Sequence, residues 1–400
     1  MSPQPPTRTE QSISAQQPIT DDALRQQVLS LPRLIRDTTW EVENEARQAL
    51  STPDLLNLRL AVLTGSGDSY LAARAAQFAW QALGGVPTFA DDAMTASRYR
   101  VDPITGGQRL RPLVVTVSNS GEVARVVEAA RGARDAGAAV LAVSAGTGNR
   151  LTDAADAVVR VPAPTFAPAP GVRSYVMSLL ALFHLAIRLG EVRGRYTMDE
   201  AGELRRQLEA TADAIESTLD HAAQAATRIA EDWAAHRILE FLGSGPGRAS
   251  AGYGAAKVLE AAGVRGYDQD VEEFVHLQYF AADTTVPAVL VAPTNSAAWS
   301  RVIEVAALLR TLGRPAATLS DEPLLGHYLP HAPGVAEIWQ PLLHVAPLAL
   351  LAGELMRVHG ESPGRGGRDG WADSVNGSTT RDSAISAPIS GVVARPTQRN

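Results

Sequence analysis

Residues 58–83 read LRLAVLTGSGDSYLAARAAQFAWQAL. The first seven, Leu58 to Thr64, form a short apolar run rich in strand formers, and they lead into Gly65-Ser66-Gly67-Asp68-Ser69. An alanine-rich stretch with helical character then continues to about Leu83. A run this short, bounded by Gly and Ser, predicts a buried strand rather than a helix. The same order recurs downstream. Leu113–Ser118 runs into Asn119-Ser120-Gly121-Glu122 and a helix to about Ala136, and Ala139–Ser144 supplies a third strand. Strand, loop, helix, strand predicts a parallel α/β sheet.

The pattern returns in the second half. At an offset of 178, Gly65, Ser66 and Gly67 match Gly243, Ser244 and Gly245, and Ala73, Gly85, Val86 and Asp92 match Ala251, Gly263, Val264 and Asp270. At 176, Asn119 and Ser120 match Asn295 and Ser296, Arg125, Val126 and Glu128 match Arg301, Val302 and Glu304, and Gly137 and Ser144 match Gly313 and Ser320. Matches this regular imply two copies of one α/β unit.

Four hundred residues suit two such units with additions. A hydrophobic share of 45% with 20% charged residues describes an ordinary globular chain. The net charge of -7, with no basic stripe, argues against a nucleic-acid partner. Cysteine is absent, which removes disulfides, thiolate metal sites and a thiol nucleophile. It fits a cytoplasmic setting. The N-terminus has no apolar core of a signal peptide. The longest apolar stretch, Tyr175–Leu189, carries His184 and Arg188 and is too short to span a bilayer, so no membrane partner is expected.

The expected organisation is a disordered tail at 1–20, helices at 21–57 divided near Pro32, a first unit at 58–197, a polar linker helix at 198–235, a second unit at 236–360 and a flexible tail at 361–400. His327 and His331 have metal-like spacing. Pro330 interrupts a helix there and no carboxylate motif accompanies them, so neither a metal nor a cofactor is expected.

The loops carry the chemistry. Ser118, Asn119, Ser120 and Gly121 sit between a strand and a helix start, where hydroxyls and free N–H groups can hold an anion. Gly65–Ser69 forms a second such loop on the adjacent strand. Two of them at one sheet edge suit a phosphorylated ligand, although Ser and Asn also cap helices without binding anything. Neither loop has a Walker GK[ST], and GSGDSY lacks the full GxGxxG pattern. The stretch 257–276, KVLEAAGVRGYDQDVEEFVH, holds the only lysine among 36 Lys and Arg residues. Lys257 and Glu260 share one helix face.

GSGDSY followed by SNSGE resembles the sugar isomerase (SIS) domain in a tandem pair, over about Leu31 to Gly360. The order of motifs is similar to the isomerase half of glucosamine-6-phosphate synthase and to related phosphosugar isomerases and deglycases. The resemblance implies two α/β SIS domains, each a five-stranded parallel sheet flanked by helices in flavodoxin-like layering, and a phosphosugar ligand. It implies that Ser69, Ser118, Asn119, Ser120 and Gly121 hold the phosphate, and that Ser174, in Gly171-Val172-Arg173-Ser174, meets the sugar. A lysine, a glutamate three residues on and a histidine sixteen further is the family's spacing, and Lys257, Glu260 and His276 keep it, with Glu273 at the preceding acidic position. Glu260 is then the base that moves a proton between C1 and C2. His276 opens the sugar ring across a homodimer interface. Lys257 either steadies the developing oxyanion or orients Glu260.

Several positions depart from the family. Val123 replaces a threonine, Leu277-Gln278 replaces Gly-Pro after His276, and the C-terminal tail has no lysine, leaving Thr380 and Arg381 as candidates to close the site. Without cysteine, glutamine-driven amination is not expected of these residues. The implied activity is aldose–ketose isomerisation of a phosphorylated sugar or amino sugar, or the related deamination or deglycation. The alternative is a non-catalytic sugar-phosphate sensor or carbohydrate-derivative binding protein.

Overall fold

Each expected strand is apolar on both faces, so its sheet needs cover on both sides. The computed structural model, which describes residues 23–100, 112–162, 166, 169–281, 283–361 and 380–385, supplies that cover twice. Helices α1 (Ala23–Leu29), α2 (Leu31–Ala49) and α3 (Thr52–Asn57) precede the first unit. Pro32 falls in the first turn of α2, where its missing N–H costs nothing, and the break lies at Ser30. The expected disordered tail at 1–20 lies outside the described residues.

The first unit holds β1 (Ala61–Gly65), α4 (Asp68–Ala82), β2 (Thr88–Asp92), β3 (Leu113–Val117), α5 (Ala124–Asp135), β4 (Ala139–Ser144), β5 (Ala157–Arg160) and α6 (Arg173–Val192). Its five strands are parallel in the order β2-β1-β3-β4-β5. Helix α7 (Met198–Asp232) follows, started by a reciprocal cap between Thr197 and Glu200. The second unit holds β6 (Ile238–Leu242), α8 (Pro246–Ala262), β7 (Arg265–Gln269), α9 (Val271–His276), β8 (Ala288–Val291), α10 (Trp299–Thr311), β9 (Ala316–Ser320), β10 (His327–Pro330) and α11 (Gln340–Val358). Its strands run β7-β6-β8-β9-β10, the same order as in the first unit.

One continuous core joins the units. It contains Leu63 and Val115 from the first sheet, Phe241 and Val289 from the second, and the apolar faces of α2, α4, α6, α7, α8 and α11. Smaller clusters back the outer face of each sheet. Helices α6 and α11 are long and apolar enough to cross a membrane, but most of each is buried inside this core. A helix apolar all round is what a central core position requires. The segment expected as a polar linker buries Leu208, Ala212, Ile215, Ala226 and Ile229 at helical spacing and packs on α2 and α11. Across the unit boundary α4 lies against α8. Gly252 permits this, since a Cβ there would stand 2.8 Å from Leu71 Cδ2.

Of the expected flexible tail, residues 380–385 are described and rest on the first unit. Arg150 Nη1 donates to the Arg381 carbonyl at 2.8 Å, Arg125 donates to the Ala384 carbonyl, and Ile385 packs against the outer cluster of the first sheet.

Candidate active site

Register places the two first-unit loops together. Gly65 pairs with Val117, so residues 66–69 and 118–121 leave the same sheet edge side by side. In the second loop Ser118 is buried, while Asn119 and Ser120 are exposed. The Gly121 N–H is shared between the carbonyl and Oγ of Ser118, at 3.1 and 3.2 Å. Gly121 has φ +67°, and a Cβ there would fall 2.0 Å from Asn149 Oδ1. Only glycine fits both demands. Val123 is the N-cap of α5 and offers no side-chain acceptor or donor.

The second unit's loops are already occupied by its own carboxylates. Ser244 Oγ donates to Asp270 at 2.8 Å. Ser296 Oγ donates to Glu337 at 2.6 Å, and the Ala297 N–H donates to the same carboxylate at 3.2 Å. Asn295 Nδ2 donates to the Val335 carbonyl. In the first unit no carboxylate takes the hydroxyls of Ser69, Ser118 or Ser120 among the described residues. The two halves thus offer the same loops in different states, one filled internally and one open.

Beside the open loops lies a buried ionic cluster. Lys257, on α8, has a fully buried side chain. Taking an ammonium out of water costs several kcal/mol, about that much per ion, unless partners replace the water. Two carboxylates and a ring do so here. Lys257 Nζ donates to Asp68 Oδ2 at 2.7 Å and to Glu260 Oε2, and it stands 5.3 Å from the centre of the Tyr253 ring. Burial alone would lower its pKa, but the Asp68 and Glu260 charges outweigh that and hold it above the ordinary lysine value. Glu260 sits at the rim with 42% of its side chain exposed. Burial and then the Asp68 charge push its carboxyl above the usual range, against the pull of Lys257.

Asp68, Tyr175 and Tyr253 escaped the sequence reading. Tyr175, on α6, stacks on Tyr253 with ring centres 4.4 Å apart. Both hydroxyls, and Asp68 Oδ1, are buried without a hydrogen-bond partner among the described residues. Burial, followed by the nearby Asp68 charge, drives both phenols upward. Gly171 reaches this cluster too, since a Cβ on it would lie 2.8 Å from Asp68 Oδ2 and 3.1 Å from Ser174 Oγ. The expected sugar-contacting turn therefore meets the lysine cluster. Ser174 is not the N-cap of α6; Val172 is.

His276 and Glu273 lie elsewhere. Both are exposed on the short helix α9. His276 Nε2 pairs with Glu272 at 3.0 Å, and Glu272 also takes Arg301. Within one chain the structure does not join His276 to Lys257 and Glu260. Among the described residues no group of three metal-ligating side chains converges.

Comparison with known proteins agrees with the fold. The SIS domain family matches residues 55–188. A Streptomyces coelicolor glutamine–fructose-6-phosphate aminotransferase (isomerizing) is 30% identical over 275 residues, covering 66% of this chain and 43% of that protein. The chain spans about half the length of the curated relatives it matches. Among solved structures, the C-terminal domain of glucosamine-fructose-6-phosphate aminotransferase from Francisella tularensis superposes with a TM-score of 0.76 at 17% identity, covering 86% of this chain and 98% of that one. Tagatose-6-phosphate ketose/aldose isomerase from Escherichia coli gives 0.67 at 16%, covering 86% and 95%. Residues 55–188 match the SIS domain family, and the second unit repeats the first unit's sheet order, so the chain carries two SIS-fold units in tandem.

Proposed function

We propose that this protein binds a phosphorylated sugar or amino sugar on the first unit's loops and isomerises it between aldose and ketose, or carries out the related deamination or deglycation, with Glu260 as the base. The observation that supports this most is the pairing of open first-unit loops with the Lys257–Glu260 cluster, while the matching second-unit loops are filled by Asp270 and Glu337. An internal carboxylate on Ser296 and the Ala297 N–H marks such a loop as an anion holder. In this reading Ser69, Ser118, Asn119, Ser120 and Gly121 take the phosphate and Ser174 contacts the sugar.

The chemistry needs one group that removes and returns a proton. Glu260 takes the proton from C2 of the open-chain aldose. The C2–H electrons form the C1=C2 bond, and the carbonyl pair moves to O1, which takes up a proton. O2 then gives up its proton, its electron pair forms C2=O, and the C1=C2 pair takes the first proton back from Glu260 at C1, so the proton lost at O2 balances the one gained at O1. A carboxyl raised above its usual range suits both directions. Two donors of Lys257 are spent on carboxylates and its ammonium lies near the Tyr253 ring, so its role is to orient Glu260, not to meet an oxyanion. His276, with Glu273 beside it, opens the ring of a sugar bound to a partner copy. The exposed side chains that follow it, Leu277 at 57% and Phe280 at 74%, supply apolar surface for that homodimer. The setting proposed is the cytoplasm.

A second reading, a sensor that binds without turnover, draws support from Val123 and from the lack of a free ammonium. Proton exchange at C2, followed by NMR in deuterated water across a panel of hexose 6-phosphates and their 2-amino forms, separates the two. Turnover gives exchange that Glu260→Gln removes; a sensor gives binding with no exchange in any candidate.

A further inference from the structure

The ammonium of Lys257 is shared between units. One carboxylate, Glu260, lies a turn away on the same helix, and the other, Asp68, comes from the first turn of α4 in the other unit. An acid at a helix start is ordinary, because it complements the helix dipole. This one does something further, since its Oδ2 reaches across the boundary and its Oδ1 is buried without a partner among the described residues. We propose that Asp68 is the positioning residue of the site: from the first unit's loop it holds Lys257, divides that ammonium with Glu260, and so sets how basic Glu260 is.

The surroundings leave few other groups to do this. From α4 come Asp68 and Arg74, and Arg74 is engaged by Asp268 of β7. Asp268 also takes Arg248 of α8. From α6 comes Tyr175, and from α8 itself Lys257 and Tyr253, both phenols being neutral. Glu240 of β6 is bound by Arg314, and His344 of α11 by Ser250. Asp68 and Lys257 are the charges that act on Glu260. With both carboxylates ionised the cluster carries one net negative charge, so a proton is retained on it more readily than on a simple Lys–Glu pair. The first unit's ligand loop is thereby tied to the acid–base group of the second.

The inference rests on the proposed function for its catalytic sense, but its test does not. Lys257 is the only lysine in the chain, so labelling with [13Cε]lysine gives a single resonance that reports ionisation of both neighbours. In the wild-type chain the resonance should move with a step that Glu260→Gln removes. Asp68→Asn should lower the midpoint of that step by about 1 pH unit or more. An unchanged midpoint overturns the proposal. Should Asp68→Asn fail to fold, Glu260→Gln still decides: the lysine resonance must go on responding to a carboxylate other than Glu260, and a flat response overturns the sharing of the ammonium. If the sugar reading is also right, the acid limb of the C2 exchange profile moves down in Asp68→Asn by the same interval, and Asp68→Glu restores it in part. Absence of exchange in the wild-type chain as well, with the NMR steps intact, counts against the sugar reading alone.

Discussion

Nζ of Lys257 lies 2.7 Å from Oδ2 of Asp68, across the boundary between the two units. The ammonium is therefore fixed from both sides, and Glu260 is held by a group that cannot swing away. Replacing Lys257 with methionine keeps the volume but leaves two carboxylates facing each other without a cation. Breaking a fully buried pair costs about 3–5 kcal/mol, and less here because solvent reaches Glu260 at the rim. Lys257→Met should lower the melting temperature by several degrees, whereas Lys257→Met combined with Asp68→Asn and Glu260→Gln should recover part of the loss. Calorimetry on the single and triple variants checks this.

Gly121→Ala should unfold the loop at residues 118–121 locally. A left-handed backbone costs a non-glycine residue about 1–2 kcal/mol, and the new Cβ would meet Asn149 at once. The expected result is a lower melting temperature and loss of stabilisation by any hexose phosphate that protects the wild type. Gly137, also at positive φ but with open space around it, is the control: Gly137→Ala should retain ligand protection.

Glu337→Ala empties the second unit's loop. Ser296 Oγ and the Ala297 N–H lose their acceptor, at a cost of about 1–3 kcal/mol. Inorganic phosphate should then raise the melting temperature of the variant more than that of the wild type. Equal responses would contradict the view of Glu337 as an internal anion.

Acid should weaken the fold well before carboxylates titrate. Burial favours the neutral form of four histidines, holding His184 down to about 3 and His331, His344 and His359 below the ordinary value. Their unfolded forms take up protons as pH drops below about 6.5 while the folded forms do not. The unfolded state then binds more protons, so stability falls with pH in that window, by up to about 1.4 kcal/mol per histidine per pH unit. Glu260 acts oppositely. Its raised carboxyl favours the folded state while protonated, and that contribution is lost as pH rises through its folded value. Four histidines outweigh the two carboxyls that burial raises, Glu260 and Glu240, so melting temperature should rise from pH 5 to 7, with a shallower slope in His344→Gln.

Much of the fold is legible in the sequence because strand runs and glycine loops are local signals. Leu113 to Ser118 and Ala139 to Ser144 stand within a residue of the observed strands, and the 178 and 176 offsets anticipate the matching sheet orders. Contacts between distant segments leave no local trace. Asp68 reads as an ordinary helix-start acid, and only the packing of α4 on α8 brings it to Lys257. Tyr175 and Tyr253 look like core aromatics from their spacing. The stretch 198–235 reads as a linker because its polar face dominates composition, yet the buried stripe of the helix it forms supports both units. His276 keeps its spacing from Glu260 along the chain, but spacing does not place α9, which carries it onto an exposed surface.

The central claim is that Glu260 moves a proton on a phosphosugar, and C2 exchange in deuterated water tests it most directly. The wild-type chain should exchange the C2 proton of at least one hexose 6-phosphate or its 2-amino form. Glu260→Gln should slow that exchange about 100-fold or more while leaving binding in place. Tight binding without exchange in any candidate, or exchange that survives Glu260→Gln, would contradict it.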